Sequence, residues 1–125
     1  MNLHATRAGR ALIVRLDGEL DLHTVEPFKE AVAEALAREP TVCHLILQMQ
    51  QVTFMDSSGI GAILGRYREV KERGGRIAVV GLQPAVRRVF ELAGMNRIIN
   101  HYATEREALA KLAHEGSQRS AGERL

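Results

Sequence analysis

The residues with chemical potential cluster in one stretch, "QVTFMDSSGIGAILGRY", residues 51 to 67, with a carboxylate and two hydroxyls in a row at Asp56, Ser57 and Ser58. They stand between an apolar run and a segment of helical periodicity that opens with Gly59 and Ile60. Any of the three can cap a helix N-terminus, and a helix needs only one such cap. At least one side chain is therefore spare, and four kinds of chemistry could use it.

A phosphate cradle would take a glycine-rich loop leading into a helix, where backbone N–H groups and the dipole favour an anion. "GIGAILG" is one residue too long for the dinucleotide fingerprint, and no G-x-x-x-x-G-K-[ST] occurs. The bland account of Gly61 and Gly65, four apart, is a helix face that sits close to a sheet. A serine nucleophile needs a base within hydrogen-bond reach. "MDSSG" is not G-x-S-x-G, and nothing in the sequence brings Asp21 or His23 beside Ser57 or Ser58. Metal binding has no support either, because the five histidines are dispersed and Cys43 stands alone. A hydroxyl at a helix start can instead be phosphorylated, since the dipole tolerates the added charge while the outward surface changes. Plain capping and modification both fit the pattern.

Composition bounds the rest. A chain of 125 residues is one domain in size, and its core must be aliphatic, with no Trp, three Phe and two Tyr. Few aromatics argue against base-stacking platforms, and a net charge of +2 is too small to argue for nucleic acid by itself. The charge is unevenly spread: between Ser57 and Arg88 seven basic residues face Glu69 and Glu72, a local +5, whereas the remainder carries ten basic against thirteen acidic, or −3. No run suits a membrane span or a signal peptide, and the single cysteine suits a reducing compartment, so the expectation is a soluble cytoplasmic protein.

The elements that must position the motif follow from periodicity. "NLHAT", "RAG" and "ALIVRLDGEL" predict a hairpin. Thr24 can cap a helix over "VEPFKEAVAEALARE", with Phe28, Val32, Ala35 and Leu36 at helical spacing. "VCHLILQM" predicts a short strand covered on both faces. Ile60, Ile63, Leu64, Tyr67 and Val70 make a helical stripe that stops at Gly74 and Gly75. "RIAVVGL" is a strand, "QPAVRRVFELAGM" a helix, "RIINHY" a last strand, and "TEREALAKLAHEG" a helix capped by Thr104. The expectation is one α/β domain over residues 1–115, with a mixed sheet of about five strands and about four helices, followed by a polar tail over 116–125. In such sheets ligands and partners meet the loops at the strands' carboxyl ends, where "MDSSG" and the acidic "DGELD" loop, with Glu19 and Asp21, are both expected.

"VRLDGELDLHT", "FMDSSGIGAILGRYREVKERGGRIAVVG" and "PAVRRVFELAGMNRII" together resemble the STAS domain, in the branch of bacterial anti-sigma factor antagonists; the likeness spans about residues 3 to 113. The resemblance implies a partner-switching protein rather than an enzyme, with no cofactor. Its partners would be a GHKL-type anti-sigma factor that is also a serine kinase, and a PP2C-type phosphatase, with no direct contact to nucleic acid or membrane. Carried over by motif position, Ser57 is the phosphoacceptor and Ser58 its capping or hydrogen-bonding neighbour. Asp21, Thr24, Asp56, Ser57, Ser58, Gly59 and Ile60 would form the partner surface. The same fold also serves stress-signalling and transporter-associated assemblies, which remain the alternative role, ahead of a nucleotide-binding domain. The basic residues Arg66, Arg68, Lys71 and Arg73 fit a solvated helix face or a partner patch.

Overall fold

The computed structural model describes residues 1–113, so the polar tail expected over 116–125 and the helix end expected at 114–116 lie outside the described residues. The hairpin forms as the pattern predicts: β1 (Asn2–Ala8) and β2 (Ala11–Leu20) pair antiparallel, from Asn2↔Asp17 to Ala8↔Ala11. Helix α1 (Val25–Ala37) buries Val25, Phe28, Val32 and Leu36, the spacing that its sequence displays.

Strand β3 (His44–Met55) is longer than the eight-residue run expected for it. The reason lies in its pairing with β2. Gln48 faces Arg15 but Gln51 faces Asp17, and Val52 faces Gly18 but Phe54 faces Glu19, so β3 holds an extra residue at each of two irregularities. Such bulges break the alternation that identifies a strand in sequence. The buried residues of this half are Met49, Val52 and Met55, three apart rather than two.

Helix α2 (Ser57–Glu72) follows after one residue. Its stripe behaves as predicted: Ile63 and Val70 are buried, while Ile60, Leu64 and Tyr67 pack against the same core. The chain then returns through Gly75, where a Cβ would stand 1.7 Å from the carbonyl oxygen of Cys43. Only glycine fits that approach. Strand β4 (Ile77–Val80) is buried throughout, and α3 (Pro84–Leu92) opens on its proline. A single 3-10 turn, Met95–Arg97, uses the start of the predicted last strand, so β5 spans only Asn100–Tyr102. Helix α4 occupies 105–113, with the Thr104 hydroxyl accepting from the Glu107 N–H at 3.1 Å.

The five strands lie in the order β1-β2-β3-β4-β5, antiparallel at β1/β2 and parallel elsewhere, which makes the sheet mixed. Helices α1, α2 and α3 cover one face, where Phe28, Ile63 and Phe90 join Leu45, Leu47 and Val79 in the main core. Helix α4 covers part of the other face with Ala108 and Leu112, over Ile13, Ile46, Ala78 and Val80. Cys43 is free and buried. This architecture gathers the carboxyl ends of β2, β3 and β4, together with the starts of α1, α2 and α3, at one end of the domain.

Candidate functional site

The motif sits at that end. Leu20 and Met55 are cross-strand neighbours at the ends of β2 and β3, and the Asp56 N–H points to the Leu20 carbonyl at 3.4 Å. Asp56 is extended, with φ −115° and ψ −171°, and its Oδ1 accepts from the Ser58 N–H at 2.9 Å and the Gly59 N–H at 3.1 Å. The carboxylate is thus the cap of α2. This corrects the role expected for Ser58, whose hydroxyl does not cap. Asp leads the capping preferences together with Ser and Asn, and its place directly after the strand was the available signal.

With Asp56 as the cap, neither serine hydroxyl has a hydrogen-bond partner among the described residues. Ser57 is exposed, and Ser58 is half-buried. Among the described residues no imidazole or carboxylate is hydrogen-bonded to either hydroxyl. Ser57 heads a 16-residue helix, whose dipole favours negative charge at this end.

Gly59, the third residue of α2, explains why the helix starts where it does. A Cβ there would lie 2.5 Å from the Leu20 carbonyl oxygen and 2.7 Å from Met55 Cγ. The first turn of α2 therefore rests directly on the end of β2. Gly61 and Gly65 do not carry the close approach expected of them: a Cβ at either would meet nothing within 4 Å. The helix is docked through Gly59, and its other two glycines face open space. Ile60 is half-buried against the core.

Thr24 also departs from expectation. It occupies the N-cap position of α1, yet its side chain caps nothing. Its Oγ1 instead accepts from the Asp21 N–H at 2.9 Å and donates to the Glu19 carbonyl at 2.8 Å. Asp21 Oδ1 accepts from the His23 N–H at 2.9 Å, and the Asp21 carbonyl accepts from the N–H groups of Thr24 and Val25. One hydroxyl thereby folds residues 19 to 24 into a fixed loop beside the start of α2. Glu19, Asp21 and Asp56 make this surface acidic. Leu22 and Phe54, which sequence reading passed over, are large apolar side chains left exposed at the same end. No local pattern marks them, because exposure there depends on which sheet face α4 leaves open and on how the loop is tied.

The basic stretch is largely engaged within the fold. Arg66 pairs with Glu69, Lys71 lies over the Tyr67 ring at 5.6 Å, and Arg87 pairs with Glu91. Arg73 is exposed, as a solvated face requires, and its guanidinium also donates to the carbonyls of Val42 at 2.6 Å and Leu36 at 2.9 Å, closing the end of α1. Arg68 is exposed. Among the described residues no three His, Cys, Asp or Glu side chains gather as a metal site.

The perturbed titrating groups lie elsewhere. Burial, with Arg10 and Arg76 nearby, holds His44 below its ordinary value, and its Nδ1 accepts from the Arg76 N–H at 3.0 Å. Burial, with Arg87 adding to it, does the same to His101, whose Nε2 accepts from the Leu82 N–H at 3.1 Å. The hydrogen bond from Arg15 holds Glu105 below the usual carboxylate range, and the pair joins the start of α4 to the sheet at 2.7 Å. No helix among the described residues is long and apolar enough to cross a membrane.

Comparison with known proteins places these features in a wider set. The family model described as the STAS domain matches residues 2–108. An anti-sigma F factor antagonist of Paenibacillus polymyxa is 42% identical over 101 residues, 81% of this chain and 86% of the relative. An anti-sigma-B factor antagonist of Listeria monocytogenes is 32% identical over 82 residues, 66% of this chain and 70% of the relative. The unphosphorylated anti-sigma factor antagonist SpoIIAA superimposes with a TM-score of 0.77 at 33% identity, over 90% of this chain and 97% of its own. A second structure, the Bacillus cell fate determinant SpoIIAA in phosphorylated form, gives 0.68 at 33% identity, over 88% and 98%.

Proposed function

We propose that this chain, which belongs to the STAS domain family in its anti-sigma factor antagonist branch, binds an anti-sigma factor and is released from it by phosphorylation of Ser57. The anti-sigma factor is a GHKL-type serine kinase that uses ATP on Ser57, a PP2C-type phosphatase restores the hydroxyl, and the sigma factor set free is a sporulation factor. The chain itself is the substrate of this chemistry and not its catalyst, and it acts in the cytoplasm.

One observation carries the reading: Ser57 is exposed at the head of α2 while Asp56 caps that helix, so the hydroxyl has no structural task. A phosphate there adds about −1.5 to −2 charges, which the helix dipole accommodates. Outward, it joins Glu19, Asp21 and Asp56 on a surface that a partner must cover. Burying such a charge beneath a partner without a matching cation costs several kcal/mol, and each tenfold in affinity is only about 1.4 kcal/mol. A single phosphate is therefore enough to part a complex of ordinary affinity. The existence of SpoIIAA, a relative of similar fold, in unphosphorylated and phosphorylated forms supports the same reading. The higher identity to the sigma F antagonist, 42% against 32% for the sigma-B one, favours sporulation over general stress.

The test is intact-mass spectrometry with site mapping after incubation with ATP and the anti-sigma factor of the same organism. One added phosphate on Ser57 supports the proposal. Phosphate on Ser58 alone moves the site by one residue, and none on either serine removes the switch.

A further inference from the structure

Five large apolar side chains are exposed among the described residues, and two of them, Leu22 at 68% and Phe54 at 48%, lie at the end of the domain that carries Ser57. Scattered exposed leucines need no explanation. These two differ in how they are held. Leu22 sits in the loop that Thr24 and Asp21 tie down through the Thr24 hydroxyl, the Asp21 carboxylate and the Asp21 carbonyl, so its backbone is fixed while its side chain is directed away from the core. Phe54 is the cross-strand neighbour of Glu19, on a part of the sheet outside the cluster that the described residues of α4 cover.

Their position relative to Ser57 follows from the chain. The Leu20 carbonyl contacts the first turn of α2, and Leu22 is two residues farther, at most about 7 Å of extended chain. Phe54 precedes Ser57 by three residues, at most about 11 Å. A kinase that phosphorylates Ser57 must bring its transferred phosphate to that hydroxyl. A specific interface covers about 800 Å² per partner, a disc of roughly 16 Å radius. The chain keeps Leu22 and Phe54 both within about that radius of Ser57. Apolar groups within a polar rim, here Glu19, Asp21 and Asp56, are the anatomy of an interface hot spot, and a pre-ordered anchor loses little entropy on docking.

We infer that Leu22 and Phe54 are the apolar anchors of the surface around Ser57, seated in apolar recesses of the kinase-type anti-sigma factor, and that Thr24 positions Leu22 rather than touching the partner. The inference rests on the reading of Ser57 given above. It names the residues that hold the complex, whereas Ser57 is the residue that releases it.

The experiment is calorimetric titration of the unphosphorylated chain with the anti-sigma factor of the same organism, alongside the rate of Ser57 phosphorylation. Leu22→Ala and Phe54→Ala should each weaken binding at least about tenfold, with kcat/KM for phosphorylation falling in step. Leu22→Met should stay within about threefold of the wild type, because volume and polarity are kept. Leu92→Ala is the control: it removes an equally exposed leucine, 81% accessible, from the far end of α3 and should leave binding unchanged. Thr24→Val should weaken binding and Thr24→Ser restore it, since only the hydroxyl organises the loop. Urea unfolding of Leu22→Ala should match the wild type, which separates lost contact from lost fold. Either alanine variant binding within about twofold of the wild type overturns the anchor role of that residue. A wild-type chain that fails to bind overturns the reading of Ser57 instead.

Discussion

Gly59 and Gly61 stand two residues apart on α2, and the same substitution at each should have opposite effects. At Gly59 the new Cβ meets the Leu20 carbonyl oxygen at 2.5 Å and Met55 Cγ at 2.7 Å. The methionine can turn, but the carbonyl belongs to β2 and is fixed by the sheet, so α2 must lift from the strand end. Overpacking against a backbone atom that cannot turn away falls in the upper part of the usual range, about 2 to 3 kcal/mol. The helix gains at most about 1 kcal/mol from losing a glycine, which leaves Gly59→Ala destabilised by about 1 to 2 kcal/mol. At Gly61 no atom lies within 4 Å, so only the helical term remains and Gly61→Ala should be stabilised by up to about 1 kcal/mol. Urea unfolding followed by circular dichroism reads both, since a domain of this size is expected to unfold in two states. A Gly59→Ala protein as stable as the wild type, or two variants shifted in the same direction, would refute the docking of α2 through Gly59.

Other outcomes follow from the same contacts. Arg73→Met keeps much of the stem but removes the guanidinium donor from the carbonyls of Val42 and of Leu36, which keeps the Glu39 N–H; because the side chain is exposed it should cost about 1.5 kcal/mol in urea unfolding, the low end for hydrogen bonds to charged groups. Ser57→Ala should unfold within about 0.5 kcal/mol of the wild type, because the hydroxyl bonds to nothing in the fold, and should accept no phosphate. His44 and His101 both titrate lower in the fold than in the unfolded chain, where the value is about 6.5. Their contribution is complete above that value and is lost as pH falls toward the folded values, because the unfolded state takes up protons first. Stability should therefore drop as pH is lowered from 7 through 6, and His101→Gln should flatten that slope; an unchanged slope would rule out His101 as a source.

The helices were legible because their stripes are uninterrupted: Phe28, Val32 and Leu36, then Ile63 and Val70, all point inward as their spacing requires. The outer half of β3 was hidden by its two bulges, which replace alternation by a three-residue rhythm at Met49, Val52 and Met55. The existence of a spare hydroxyl could be read from "MDSSG", but not which side chain is spared. Asp56 wins the cap because the strand delivers it, extended, over the N–H groups of Ser58 and Gly59. The roles of Gly59, Thr24 and Arg73 are tertiary: each meets an atom that lies elsewhere along the chain, from the Glu19 carbonyl five residues from Thr24 to the Leu20 carbonyl 39 residues from Gly59. Glycines 61 and 65 resembled the packing glycine of the helix, and the one that packs lies nearer the cap.

The central claim is that one phosphate on Ser57 changes what this surface binds while leaving the fold in place. The most direct measurement is the affinity of the unphosphorylated chain and of the chain phosphorylated on Ser57 for the same anti-sigma factor, with the circular dichroism and urea midpoint of both forms. The account predicts at least about a hundredfold loss of affinity, some 2.7 kcal/mol, with unchanged spectra and nearly unchanged midpoints. Equal affinities for the two forms would contradict it.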